Sequence, residues 1–359
     1  MHRSSRLLAI VATSIAICSA PQVRATETPN AEAASELPAI AEPIVGVLQA
    51  DPARWSKLGV IDTRRFPWDP ASADPLRAGW RSKVFFNGPK VGRLMLIIYP
   101  PTFDSKMPPP GVPPHYHLWH EWGYTLKGDA VMTEPVSPLQ KNGMLYHKKE
   151  GGWLSRPPYS LHAGTWVTGG LRNQMPYHLL LMEEGDGSII MVGPQGRHIL
   201  PESPGVRPDP YDPDWRAVKE WRRPWLVDTI ADLEWEDDPD VPGRFVKWLS
   251  EEDGFRARLI KIPAGWVAPP APNRSYYEQA NVLRYVVYGD MTVWTFDDPA
   301  DPGKAWRLGE DGFIYQPPRS LWGYGPGKVS TLGAIWLEVT YAKGLTVGGG
   351  KIEAAKRAP

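Results

Sequence analysis

The sequence is poor in the residues that build several common sites. Among 359 residues there is one cysteine, Cys18, and there are eight histidines, none of them after His198. No apolar run reaches the 18 or more residues that a membrane-spanning helix requires. A strand–Gly-rich phosphate loop, a dinucleotide fingerprint and a G-x-S-x-G nucleophile elbow are all missing, which sets aside three large enzyme classes. No block of one charge sign stands out among 40 basic and 40 acidic side chains, so the electrostatic footprint of a nucleic-acid binder is lacking. What is abundant is Pro (40), Gly (34) and Trp (17). So many turn formers argue for short strands over long helices. So many indoles argue for broad aromatic surfaces in a core or a pocket.

The chain opens with Arg3 and Arg6, then the apolar run LLAIVATSIAI over residues 7–17. Eleven residues are too few to span a bilayer but match a signal-peptide core, and Val23-Arg24-Ala25 offers a small-x-small cleavage site. Residues 1–25 are therefore expected to be a signal peptide, the mature chain starting near Thr26 and being exported to the periplasm or outside the cell. Cleavage removes three of the 40 basic residues (Arg3, Arg6, Arg24) and no acid, which leaves 37 against 40. It also removes Cys18, so the mature chain forms no disulfide, and any metal it binds must be held by imidazole and carboxylate.

Residues 26–78 read as an Ala/Glu/Pro-rich extension, 201–245 as a Pro/Trp-rich connector and 346–359 as a flexible tail. The two stretches between them, 79–200 and 246–345, match each other. GYTLKGDAVM (123–132) pairs with RYVVYGDMTV (284–293) at an offset of 161. GGWLSRPPYSLHAG (151–164) pairs with DGFIYQPPRSLWGY (311–324) at an offset of 160. A near-constant offset over two blocks predicts a duplicated domain, and its period is far longer than that of a repeat array. Each copy is expected to be an all-β unit of short antiparallel strands, a barrel or sandwich.

The first copy holds PPHYHLWHEWGYTLKGD at 113–129. His115 and His117 share one face of a strand, because side chains at i and i+2 point the same way. Glu121 follows four residues on, and His162 comes later in SRPPYSLH, where a returning strand can bring it beside the pair. The pattern resembles the cupin superfamily. His115, His117, Glu121 and Gly128 fit the core of the first cupin motif, although three residues rather than five separate Gly111 from His115. Gly151, Pro157 and His162 fit the second motif, with Tyr159 and Trp166 in place of its second Gly and its Asn. The resemblance implies a bicupin, two antiparallel jelly-roll barrels in one chain. It also implies one divalent transition metal held by His115, His117, Glu121 and His162. Iron is the most favoured; Mn, Zn, Ni, Co and Cu suit the same donors.

The second copy has lost these ligands. By offset, Tyr276, Glu278, Val282 and Trp322 stand where the first has His115, His117, Glu121 and His162. That barrel is expected to be metal-free and structural. By the same resemblance the protein is an enzyme acting on a small molecule, aromatic or sugar-like, of metal-dependent dioxygenase type. The alternatives are a redox-neutral lyase, decarboxylase or isomerase, and a non-enzymatic ligand-binding or scaffold cupin. Trp119, Tyr124 and Trp166 are expected to line the substrate cavity, and His120 to face away from it. A homodimer is expected from the habit of cupin barrels to pair.

Overall fold

Along the strand Gly92–Tyr99, alternate side chains enter different cores. Leu94 and Leu96 join one buried cluster, while Met95, Ile97 and Tyr99 join another. Burial on both faces is why RLMLIIY is nearly continuous in apolar residues instead of alternating with polar ones. The structure, a computed structural model, describes residues 59–70, 79–88, 92–101, 115–134, 144–162, 166–168, 176–184, 190–191, 225–227, 229–252, 254–269, 275–277, 279–342 and 356–357. The expected signal peptide, Gly111 and Glu278 lie outside them, as does most of the expected extension and tail.

The strands are β1 (Gly59–Asp62), β2 (Arg81–Gly88), β3 (Gly92–Tyr99), β4 (His115–Tyr116), β5 (Glu121–Lys127), β6 (Ala130–Glu134), β7 (Met144–Lys148), β8 (Trp153–Arg156), β9 (Trp166–Thr168), β10 (Tyr177–Glu183) and β11 (Ile190–Met191). There follow β12 (Trp225–Val227), β13 (Glu236–Asp237), β14 (Phe245–Glu252), β15 (Phe255–Ile262), β16 (Ser275–Tyr276), β17 (Ala280–Phe296), β18 (Lys304–Gly309), β19 (Gly312–Gln316), β20 (Leu321–Gly323), β21 (Ala334–Ala342) and β22 (Lys356–Arg357). Two single-turn 3-10 segments, Thr63–Arg65 and Ile230–Asp232, are the only helical pieces among the described residues.

The duplication is visible in strand order. One sheet runs β12-β8-β5-β10-β3-β2, and the other runs β1-β19-β17-β21-β15-β14-β13, every pairing antiparallel. β8, β5, β10, β3 and β2 thus occupy the places of β19, β17, β21, β15 and β14. Smaller sheets, β7-β6-β9 and β11-β4, complete the first barrel, and β18, β20, β16 and β22 extend the second. These are the two antiparallel jelly-roll barrels that the cupin resemblance implies, in the two copies that the repeat predicts. β1 comes before the first barrel in sequence yet pairs with β19 of the second, and β12, from the connector, closes the β8 edge of the first. In this way each outermost strand covers an edge that would otherwise expose unpaired backbone groups.

The left-handed turns repeat as well. Gly128 (φ 77) answers Gly289 (φ 78), Gly151 (φ 78) answers Asp311 (φ 64), and Tyr159 (φ 64) answers Arg319 (φ 66). The turn geometry therefore survives where the expected Gly of the second motif is Tyr159. A side chain there accepts a backbone region that costs roughly 1–2 kcal/mol for an L-residue.

Three buried clusters make up most of the core among the described residues. Ile260, Ile262, Val286, Ile314, Trp322 and Trp336 fill the second barrel, and Met95, Ile97, Tyr99, Tyr177 and Leu179 fill part of the first. The largest cluster takes Leu94, Leu96, Trp122 and Leu180 from one sheet and Leu259, Leu283, Leu337 and Val339 from the other, so it is the seam between the barrels. Ring contacts run along this seam, with Trp122 on Trp153 (centroids 5.5 Å apart) and Phe85 on Phe313 (6.3 Å). The second copy therefore packs its sheet directly against the sheet that carries Glu121.

Candidate metal centre

His115 and His162 face each other as an isolated antiparallel bridge. The amide of each donates to the carbonyl of the other at 2.9 Å. Directly paired residues of an antiparallel bridge project their side chains to the same side, so the bridge alone sets two imidazoles next to each other. Tyr159 adds a third tie, its amide donating to the His117 carbonyl at 2.9 Å, while the Ser160 amide donates to Pro157 across the left-handed turn. The Pro157–His162 segment is thus laced along 115–117, as the second motif requires.

The three rings converge. His115, His117 and His162 are all buried, and one ring nitrogen from each lies within 4.8 Å of the others. The His162 Nε2 is 3.0 Å from the His117 Nε2, the spacing of two cis ligands on an octahedral ion with bonds of about 2.1 Å. The His162 Nδ1–H donates to the Ser160 carbonyl at 2.8 Å, which holds the ring and leaves the Nε2 lone pair turned to its neighbours. Burial, with the nearby Arg156, His115 and His117, pushes His162 well below the usual imidazole range, so it is neutral and fit to ligate. Three converging imidazole nitrogens suit a first-row transition ion, and this donor set fits the metal that the resemblance implies.

Glu121 stands beside this group rather than in it. One carboxylate oxygen is 3.7 Å from the His117 Nε2; the other is bound by Arg156, its cross-strand neighbour in the β5–β8 register. Burial opposes its charged form, but Arg156 and His117 outweigh that and hold Glu121 below the ordinary carboxylate range. Arg156 was not singled out from sequence. Its signal was a charged residue at the end of the apolar strand WLSR, just ahead of Pro157-Pro158.

The expected cavity residues separate. Trp119 is buried and stacks on the His117 ring, with centroids 3.9 Å apart and planes at 26°. Tyr124 lies on the opposite face of β5 from Glu121 and joins the seam between the barrels, where burial pushes its hydroxyl far up. Strand alternation is the reason: an odd separation from Glu121 turns it away. The Trp166 backbone pairs with Met132 on β6, and its side chain lies outside the described residues. His120 also faces away from the triad. It is buried against the second barrel, its ring 3.9 Å from that of Phe255 and its Nε2 2.7 Å from the Ser155 Oγ.

The corresponding region of the second barrel holds a protein cation. The Arg284 guanidinium sits 3.5 Å from the centre of the Trp322 ring, and Trp322 occupies the place of His162. Arg284 donates to the Glu338 Oε2 and the Gln316 Oε1, both at 2.8 Å, and Val282 is fully buried where the first barrel has Glu121. Two of the positions that correspond to the metal-site residues, Val282 and Trp322, are therefore built into buried core, Trp322 beneath the Arg284 ion-pair network.

The architecture is the bicupin fold, with a histidine triad able to hold a metal in one of its two barrels. No protein-family model and no curated protein matches the chain. Solved structures do. A provisionally assigned dioxygenase from Nostoc punctiforme is 14% identical with a TM-score of 0.55, the match covering 85% of this chain and 87% of that one. An oxalate decarboxylase is 11% identical (TM-score 0.51, 83% and 78% covered), and procruciferin, the 11S globulin of Brassica napus, is 12% identical (TM-score 0.51, 80% and 85% covered). At such identities the likeness is one of fold, and the same fold serves two kinds of enzyme and a globulin.

Proposed function

We propose that this chain is an exported bicupin metalloenzyme that holds one divalent transition metal in its first barrel and acts on a small organic molecule. The observation that carries this reading is the buried convergence of His115, His117 and His162. Bound there, a redox-active ion such as iron supplies dioxygen chemistry, and the reading leans to a dioxygenase. The chain's own residues do the rest. The Ser160 carbonyl orients His162, Trp119 walls the site beside His117, and the bridge between 115 and 162 keeps two imidazoles in register. Trp119 offers an apolar face to an aromatic or sugar-like substrate. Export rests on the apolar run at residues 7–17, and the domain limits on the duplicated blocks.

A redox-neutral decarboxylase or lyase is the second reading. It is favoured by the Glu121 carboxylate, one oxygen of which stands 3.7 Å from the His117 Nε2 beside the triad, and by the fold shared with an oxalate decarboxylase. Metal analysis of the purified protein, with optical spectra taken in air and under nitrogen, separates the two. Stoichiometric iron or copper with an oxygen-dependent spectrum supports the dioxygenase. Stoichiometric manganese or zinc with no spectral response supports the second reading. Protein that takes up none of these metals overturns both.

A further inference from the structure

Three guanidiniums and one carboxylate meet inside the barrel that has no histidine. Arg258, Glu338 and Arg284 are cross-strand neighbours on β15, β21 and β17, on the same face as Ile260, Trp336 and Val286 of that barrel's core. Arg258 gives two hydrogen bonds to the Glu338 Oε1 (3.0 and 2.9 Å), and Arg284 gives one to Oε2 (2.8 Å). All three side chains are buried, so one carboxylate answers two guanidiniums out of water. Half-buried Arg256 donates to the Tyr277 hydroxyl at 3.2 Å and forms no ion pair among the described residues. Burial and Glu338 push that hydroxyl up while Arg256, Arg284 and Arg258 pull it back, so all four charges lie around Tyr277. Neighbouring acids do not restore the balance. Asp238 and Asp240 each stand 3.8 Å from the Arg258 Nη1, but Arg244 binds Asp238 twice (3.1 and 2.7 Å) and Asp240 is exposed. With Arg244, Asp238 and Asp240 all counted, four guanidiniums still face three carboxylates.

A buried excess of positive charge is costly unless something compensates it. Donors are left over as well: the Arg258 Nη1, the Arg256 Nε and the Trp322 Nε1 are buried and donate to no atom among the described residues. Trp322 lies under the Arg284 guanidinium, and the Arg319 amide ties the Tyr277 carbonyl at 2.7 Å as the Tyr159 amide ties that of His117. The cluster therefore occupies the part of the second barrel that corresponds to the triad of the first.

We propose that the second barrel binds a small organic dicarboxylate at Arg256, Arg258 and Arg284, with the Tyr277 hydroxyl and the Trp322 indole N–H as further donors. Guanidinium forks recognise carboxylates, as Arg258 and Arg284 already do on Glu338. The inner group of three guanidiniums and Glu338 carries two excess charges, which a dianion matches. The Trp322 and Tyr277 rings favour an organic acid over a fully hydrated inorganic anion. Half-buried Arg256 opens the group to solvent. This site needs no metal in the first barrel.

The test is calorimetric titration of the whole chain with malonate, against malonamide as the neutral analogue and inorganic phosphate as the inorganic anion. Saturable binding of malonate, about tenfold or more tighter than either control, is expected. Arg256→Gln breaks no ion pair and is expected to weaken it about tenfold or more, the loss of one charge-assisted hydrogen bond. Arg284→Gln is expected to do the same, with circular dichroism as the check on folding. Malonate also ligates metal ions, so the titration is repeated on His117→Ala, where affinity is expected to stay within about threefold of wild type because the sites are separate. No saturable binding by wild type, or malonamide or phosphate bound as tightly as malonate, overturns the inference. So does unchanged affinity in Arg256→Gln, an arm that decides the matter alone if Arg284→Gln fails to fold. Loss of binding in His117→Ala moves the anion to the first barrel and overturns it too, while leaving the metal-binding reading intact.

Discussion

Ser155 of the first barrel donates its hydroxyl hydrogen to Glu252 of the second at 3.0 Å. With that hydrogen committed, the Ser155 oxygen accepts from the His120 Nε2–H at 2.7 Å. The chain His120–Ser155–Glu252 therefore runs from the segment that bears the histidine triad to a barrel with no histidine of its own. Beside it, the Trp153 Nε1–H donates to the Ser250 Oγ at 3.1 Å. The second barrel is thus more than an inert weight: it supplies acceptors to residues adjoining the site.

Ser155→Ala should destabilise the protein by about 1–3 kcal/mol, because it strands a buried imidazole donor and removes a donor to Glu252. Glu252→Gln should cost less, since the amide oxygen still accepts from Ser155. Urea unfolding of the three proteins checks the order. Equal losses in both variants would mean that the charge of Glu252, and not the hydrogen-bond chain, is what matters.

His117→Ala should abolish metal loading, whereas Glu278→Ala, at the position in the second copy equivalent to His117, should leave it intact. The same pair gives a stability readout. Excess metal at about 100 times its Kd adds ~2.7 kcal/mol to a protein that binds it only when folded. Calorimetry with and without metal should show that gain in wild type and Glu278→Ala and none in His117→Ala. Equal loss in both variants would place the site elsewhere.

Glu184 should make stability fall as pH rises. Its carboxyl oxygens are shut off from solvent, and burial, together with the charge of Glu252, holds it well above the usual carboxylate range despite the nearby Trp122. The folded state therefore keeps a proton that the unfolded chain releases above about pH 4.5. With more protons bound in the folded state, this contribution is full below that pH and is lost as pH climbs toward the folded value. Glu184→Gln should remove that downward slope and leave the protein at least as stable as wild type at pH 7. Denaturant midpoints measured from pH 4 to pH 8 decide; an unchanged slope would refute the assignment.

Gly289→Ala should be among the most damaging small changes in the chain. The residue sits at φ 78, and an added Cβ would lie 1.9 Å from the Gly333 carbonyl oxygen, so backbone must move. Gly128→Ala, at φ 77 with the Pro176 carbonyl oxygen 2.6 Å away, should follow the same course less severely. Losses above roughly 2 kcal/mol are expected, more than left-handed strain alone accounts for. Thermal melts check this, and a change within error at either position would contradict the turn geometry.

Much of the site was readable before any coordinates. The i, i+2 spacing put His115 and His117 on one face, and the Pro157-to-His162 spacing brought a third imidazole to meet them. What misled was parity beyond the strand. Tyr124 was assigned to the cavity from proximity in sequence, but its odd separation from Glu121 sends it into the seam with Leu283 and Leu337. Arg156 and Glu252 were invisible for a different reason. An arginine beside Pro-Pro, or a glutamate at a strand end, looks like a solvated surface charge until the strand it will face is known.

Local spacing and the duplicated blocks were enough to establish an all-β chain of two related units with imidazoles in one only, because strand periodicity, turn residues and a missing residue type are properties of the chain itself. Which charge neutralises Glu121, which barrel receives β1 and which side of β5 meets the neighbouring sheet were settled only by the fold. Those depend on partners from 35 to more than 200 residues away, and cross-strand register and sheet stacking have no signature in a single stretch of sequence.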